Sequence, residues 1–302
     1  SKCVFLTDPA LYIGQFSDQE FMDDLVSNPG EVRMFFTHNT WLHNRIFAAY
    51  PKARVILYEE GLASYYPGLF AKYDEPERVA GVYCHNYFDL YVSPDADEYP
   101  EKFGVLNRER FRKLLTQVAR EPQGQILNSE TVGVVEQYLF KKGRAQSLDD
   151  AADEYAEAIR SIVDKGYEVA YKRHPRESSR LFELIGERLE AHHRDQVREF
   201  PESGGLLEEI ILHQPPAAVV AISSTSLLSV PHYFGVPSFT IRSRAPYDVA
   251  KAVGVERRGL TSNQVALAAR VPNIDDLPNV LHRSTAMGIF RARFTKQPRL
   301  CD

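Results

Sequence analysis

Apolar and polar residues along this chain follow two alternating rhythms. Short apolar runs end abruptly on polar residues at 3–8 (CVFLTD), 32–38 (VRMFFTH), 53–61 (ARVILYEEG) and 88–94 (FDLYVSP). Between them, 18–28 (DQEFMDDLVSN) and 40–51 (TWLHNRIFAAYP) carry helical spacing. Short apolar runs interleaved with amphipathic segments predict βα units, hence a mostly parallel sheet covered by helices. A further helix is predicted over 108–120, with Phe111, Leu114, Leu115 and Val118 on one face.

The polar segment 121–130 (EPQGQILNSE) contains Pro and Gly and is the expected junction. The alternation then restarts. Strands are predicted at 131–140, 167–175, 196–201, 217–224 and 237–242, and helices from 148, at 179–193, at 206–212 and at 226–235. Ser147 and Asp150 have the spacing of an N-terminal capping box. Tyr155, Ile159, Ile162 and Val163 share one face of the helix they open, and Gly166 should stop it. The expected architecture is α/β, with two Rossmann-like doubly wound domains facing a cleft. Residues 1–126 would form the first domain, 127–270 the second, and 271–302 a tail that could pack back on the first. In open α/β sheets ligands bind beyond the carboxyl ends of the strands, so chemistry is sought where strands end.

Three strand ends carry it. Tyr58 runs into Glu59, Glu60 and Gly61. Adjacent carboxylates raise each other's pKa, and one can act as general base toward a hydroxyl. Gly61 permits a sharp turn or close backbone approach. The alternative is a strand end emerging into water. The second end is Lys172, Arg173, His174, Pro175, Arg176. Pro175 biases His174 toward extended backbone, and imidazole among three cations suits a phosphate or carboxylate. A basic surface loop is the plainer reading. The third is Ser223, Ser224, Thr225, Ser226, between an apolar strand and a helix. Hydroxyls at a helix N-terminus make an anion site, whereas ordinary capping needs only one of them.

Composition narrows the classes. Apolar residues make up 44% of the 302 and charged residues 25%, enough for one large or two ordinary globular domains. A net charge of −5 argues against nucleic-acid partners. Cys3, Cys84 and Cys301 show neither zinc spacing nor a disulfide framework, which favours a reducing compartment. No apolar run approaches the ~20 residues of a membrane span and no leader pattern opens the chain, so a cytoplasmic location is expected. The initial Ser is also what a trimmed N-terminus would leave. Walker, G-x-G-x-x-G, G-x-S-x-G and H-E-x-x-H motifs do not occur. Neither a cofactor nor a metal is expected. Asp95 and Asp97 form a D-x-D that reads as a solvent loop, and His192 and His193 as a solvated helix end. The stretch 282–300 has no acidic residue and could touch an anionic membrane face, or close as a helix on the N-terminal half.

The ordered set Glu59-Glu60-Gly61, His174-Pro175, Ser223-Ser224-Thr225-Ser226 resembles the motifs of bacterial sialyltransferases and capsule polysialyltransferases, from about Val55 to Ile241. The resemblance implies a GT-B fold and a metal-independent inverting glycosyltransferase of capsule or lipopolysaccharide synthesis. A phosphate-activated donor such as a CMP-sugar and a glycan acceptor are its implied partners. On that likeness a carboxylate of the acidic pair, Glu59 before Glu60, is the base. His174 binds or protonates the leaving phosphate, and the Ser/Thr run holds it. Only 58 residues precede the acidic motif, fewer than the family usually has. The cations around His174 also suit a richer phosphate. A glycan phosphoribosyltransferase using phosphoribosyl pyrophosphate, with Lys172, Arg173, Arg176 or Arg242 as additional contacts and room for a Mg²⁺ that the sequence does not show, is therefore a rival. A non-catalytic glycan- or nucleotide-binding module is a third reading.

Overall fold

The computed structural model describes residues 33–36, 44, 47–48, 51–52, 54–58, 70, 73–85, 99–119, 121–122, 124–137, 147–174, 180–201, 206–222, 224–241, 271–281 and 289. The chain falls into two compact units, Ser1–His85 with Val92–Leu106, and Asn86–Tyr91 with Asn107–Asp302.

The first unit holds a parallel sheet of β1 (Arg33–Phe36), β2 (Arg54–Tyr58), β3 (Val79–Cys84) and β4 (Phe103–Val105), in that spatial order. β1 and β2 lie inside two of the predicted runs. β3 and β4 were not anticipated, and the strand expected at 88–94 lies outside the described residues. β2 alternates as a half-buried strand should, with Val55 and Leu57 buried and Ile56 partly so. Its register with β3 shifts between Val55 and Ile56, a local irregularity at the start of the ladder. Gly104 in β4 gives the Tyr83 ring its room: a Cβ there would stand 2.7 Å from that ring and displace it.

The second unit is a five-stranded parallel sheet, ordered β7 (Val197–Glu199), β6 (Glu168–Lys172), β5 (Thr131–Val135), β8 (Ala218–Ala221), β9 (Ser238–Thr240). The chain winds outward from β5 in one direction, then returns to wind outward in the other. This is doubly wound topology, and its switch point lies between β5 and β8. Period-two alternation splits the core between two faces. Val132, Val134, Val169, Tyr171, Ala218 and Val220 face α2 (Leu148–Asp164) and α3 (Arg180–Arg188). Ala170 and Val219 belong to the opposite core, with α5 (Leu207–His213) and α6 (Ser226–Phe234). Strands covered on both faces read as unbroken apolar runs, which is how β8 (AVVA) was legible.

The capping box at Ser147 and Asp150 forms: Ser147 Oγ accepts from the Asp150 N–H at 3.0 Å, and the Asp150 carboxylate accepts from the Ser147 N–H at 3.2 Å. Gly166 follows α2 with φ +89°, a left-handed conformation that suits glycine. α1 (Arg108–Val118) belongs to the second unit and meets α6 through Phe111, whose ring lies 4.4 Å from Tyr233. Its predicted apolar stripe is only partly used: Phe111 and Leu115 are half-buried, while Leu114 and Val118 are exposed. The segment read as the junction is anchored in the second unit. Gln214 accepts from the N–H groups of Ile126 (2.8 Å) and Leu127 (3.0 Å) and donates to the Gly124 carbonyl (2.7 Å). The described part of the closing segment, 271–281 with Ile289, also packs on this unit. Thr240 N–H donates to Pro272 O at 2.8 Å, and Val280 N–H to Lys165 O at 3.0 Å.

One expectation is corrected. His192 is exposed, but His193, on the one-turn helix α4 (Ala191–Arg194), is 5% exposed and its Nε2 lies 3.0 Å from Asp164 Oδ1. The turn folds back under the end of α2, which the sequence pattern does not reveal. No helix among the described residues is long and apolar enough to cross a membrane.

Candidate active site

The carboxyl ends of β6, β5 and β8 build the described part of the site. Val135 is level with Lys172 on one side and with Ala221 on the other. The next residues along, Arg173, Glu136 and Ile222, form the following row, and His174 and Ser224 extend beyond it. β6 and β8 are two strand spacings apart, about 10 Å.

At the end of β6, Lys172 is half-buried, with Nζ 5.8 Å from the Phe200 ring centroid. Loss of water pushes its pKa below the ordinary lysine value, against the opposing pull of Glu208. Arg173 pairs through Nε with Glu199, the last residue of β7. A guanidinium fixed to a neighbouring carboxylate is oriented, and part of its charge is already answered. His174 is half-buried. Pro175 and Arg176 lie outside the described residues.

At the end of β8 the hydroxyls divide their work. Ser224 Oγ accepts from the Ser226 N–H at 3.2 Å and shares a hydrogen bond with Ser226 Oγ. That is a local turn bond just before the helix, whose N-cap is Thr225. α6 then starts with Leu228 N–H and Ser229 N–H both bonded to Thr225 O, at 2.9 and 3.0 Å. Ser226 and Ser229 are buried, and Ser229 Oγ donates to Glu208 Oε1 at 3.4 Å. Glu208 thus touches α6 and acts electrostatically on Lys172, linking the two strand ends. Ser223 lies outside the described residues.

Between these ends stands a residue the sequence reading passed over. Glu136 directly follows β5 and is 1% exposed. Its Oε2 accepts from the Tyr171 hydroxyl at 2.8 Å, and its N–H donates to Lys172 O at 2.9 Å. The next N–H, of Gln137, donates to the Tyr155 hydroxyl at 3.0 Å. Tyr155 and Tyr171 meet edge to face at 5.8 Å, and Tyr171 lies 4.9 Å from Phe182. Two buried tyrosines beneath the sheet therefore prop the end of its central strand. The expected strand ran through to Phe140, which hid Glu136 inside it. The signal was there: one carboxylate interrupting an apolar run.

β2 ends at Tyr58, so Glu59, Glu60 and Gly61 directly follow a strand end in the first unit. The three, like Arg242, Asp95 and Asp97, lie outside the described residues. The structure therefore brings together Lys172, Arg173, His174, Ser224, Thr225 and Ser226 at one end of one sheet, and adds Glu136.

The family model for alpha-2,8-polysialyltransferase (POLYST) matches residues 17–242, about three quarters of the chain and all three motifs. The chain belongs to the alpha-2,8-polysialyltransferase family. As a member it is a glycosyltransferase, with a sugar donor and a glycan acceptor. No curated protein matches the chain. Among solved structures, it is similar to one assigned as a UDP-N-acetylglucosamine 2-epimerase from Listeria monocytogenes, at 12% identity and TM-score 0.46, covering 93% of this chain and 78% of that one. A glycosylation associate protein complex from Streptococcus agalactiae is similar at 13% identity and TM-score 0.37, covering 96% and 61%. Medicago truncatula UGT71G1 with UDP-glucose follows at 11% and TM-score 0.39, covering 90% and 74%. In this polysialyltransferase-family chain, the basic and hydroxyl motifs are thus neighbours across a single strand.

Proposed function

We propose that this family member is an inverting, metal-independent glycosyltransferase of bacterial surface polysaccharide synthesis, moving a sugar from a CMP-activated donor to a glycan hydroxyl. The observation that supports it is the cluster at the carboxyl ends of β6 and β8. Cations and an imidazole stand on one side of the switch point, and hydroxyls at a nine-residue helix start on the other. Such a crevice suits the phosphate of a nucleotide. In the proposed reaction, Glu59 or Glu60 takes the proton of the acceptor hydroxyl. The oxygen's electron pair attacks the anomeric carbon as that carbon's bond to the CMP phosphate oxygen breaks. The electrons of that bond leave with the phosphate. His174 donates a hydrogen bond or proton to it, while Ser223, Ser224, Thr225, Ser226 and Lys172 neutralise its charge. The chain would work in the cytoplasm, with the basic stretch 282–300 resting on the inner membrane face.

The phosphoribosyl pyrophosphate reading asks for more free positive charge at β6. The engagement of Arg173 by Glu199 favours the single-phosphate donor instead. Thermal-shift measurements with CMP, CDP, UDP, GDP and phosphoribosyl pyrophosphate test the donor: CMP should raise the unfolding temperature most. With the matching CMP-sugar, E59Q or E60Q and H174A should each lose at least tenfold in kcat, and EDTA should leave turnover unchanged. Full rate in all three variants would sink the catalytic assignment. Affinity without turnover in the parent would identify a binding module.

A further inference from the structure

At the opposite end of the same sheet, α2 ends on Asp164 before the chain enters β6, and α4 carries His192 and His193 before the chain enters β7. We propose that Asp164, His192 and His193 form a site for a divalent transition-metal ion of the Zn²⁺, Ni²⁺ or Cu²⁺ kind. One ligand atom from each lies within 4.8 Å of the other two. Around a tetrahedral ion with bonds of about 2.0–2.2 Å the ligand atoms are about 3.4 Å apart, so the gap closes with small side-chain rotations.

The three side chains are prepared for this in different ways. The His193 side chain is 6% exposed, so its ring is locked. Its Nδ1 is buried and makes no hydrogen bond, so the ring's polar chemistry runs through Nε2, 3.0 Å from Asp164 Oδ1. His192 and Asp164 are exposed on one side of it, with side chains 62% and 66% accessible, and are able to rotate onto an ion. The two imidazoles already stand together, their ring centroids 3.7 Å apart at 39°. Neighbouring side chains on a helix usually diverge, so this pairing calls for a reason. Glu190 Oε2 lies 3.5 Å from His192 Nδ1, so a carboxylate stands beside this imidazole to orient it, as at many metal-binding histidines. Two imidazoles and one carboxylate favour a borderline transition ion over Mg²⁺ or Ca²⁺, and water completes the coordination.

The site lies at the amino ends of β6 and β7, away from the crevice at their carboxyl ends. An ion there staples α4 to α2 and stabilises the second unit without touching the transfer chemistry. It is therefore independent of the proposed glycosyl transfer and compatible with turnover in EDTA.

The untagged full chain, stripped with EDTA and then desalted, would be titrated with Zn²⁺ in competition with a chromogenic chelator, and its unfolding temperature followed. One equivalent of Zn²⁺ should bind and raise the unfolding temperature. H192A and D164N, both changes at exposed side chains, should each weaken that binding at least tenfold and abolish the temperature rise. Absence of binding in the parent, or retention of its affinity by either variant, would overturn the proposal.

Discussion

Tyr171→Phe removes one oxygen from the interior of the second unit and leaves the ring packing intact. Tyr171 is fully buried, and its hydroxyl donates at 2.8 Å to a carboxylate oxygen of Glu136, itself 1% exposed. With Glu136 ionised, a hydrogen bond to it contributes about 1.5–3 kcal/mol. The Phe182 and Tyr155 ring contacts survive the change, so no cavity penalty larger than a hydroxyl is added. Two units in one chain make a single melting curve hard to interpret. Native-state amide exchange of β5 and β6 reads the second unit directly. Every 1.4 kcal/mol is a factor of ten, so the slowest amides there should exchange about 10–150-fold faster in Tyr171→Phe. Tyr155→Phe is the internal control. Tyr155 is equally buried, but its hydroxyl accepts from the neutral Gln137 N–H, worth about 0.5–1.5 kcal/mol and about 2–12-fold in exchange. If Tyr171→Phe accelerates exchange no more than Tyr155→Phe, Glu136 is not a charged acceptor propped by Tyr171, and its place in the crevice has another basis.

Lys172→Met should stabilise the fold near neutral pH while weakening donor-phosphate binding about 10–100-fold, measured by chemical denaturation and by calorimetry. The sign follows from the lowered pKa of Lys172: below that pKa its buried charge opposes folding, and the penalty fades as pH rises toward 10.5. The stability gap between parent and variant should therefore shrink in alkali; a gap that widens there contradicts it. Gln214→Ala removes three hydrogen bonds from Gly124, Ile126 and Leu127 and should cost about 2–4 kcal/mol in urea unfolding of the second unit. Gln214→Glu retains the two acceptor contacts and should cost less. Ser147→Ala breaks the capping box of α2 and should cost about 1 kcal/mol; no measurable loss would mean the helix start frays in solution.

The second unit was legible because its strands are covered on both faces. Covered strands are apolar at their centres, as in the VGVV of β5, the VAY of β6 and the AVVA of β8, and they announce themselves between helices with clear caps at Ser147 and Gly235. β3 was missed for the opposite reason. Ala80 and Gly81 carry little hydrophobic signal, and Tyr83 is exposed, so the pattern of VAGVYC resembles a loop. β4 is three residues with a central glycine, below the length at which periodicity has meaning. The basic and hydroxyl motifs were readable because strand-end chemistry is local in sequence. Glu136 showed only as a carboxylate interrupting an apolar run, and the Asp164–His193 contact not at all. Each depends on a partner brought close by the fold, Tyr171 from the adjacent strand in one case and a returning helical turn in the other.

The residues that match the family stop at 242, yet the second unit does not. β9 is the last strand of its sheet, and its outer side is met by Pro272 and Asn273, through the Thr240 N–H bond to Pro272 O and a bridge to Asn273. Val280 and the Lys165 amine, which donates to the carbonyls of Ile274 and Asp275, fasten the same segment to the end of α2. A chain cut at the family boundary would lose this strap. Its β9 would then present an unpaired row of backbone donors and acceptors, the template on which one sheet recruits another. Removing the stretch 271–281 should therefore promote self-association, and a chain ending at Arg242 should sediment as larger species than one ending after Leu281.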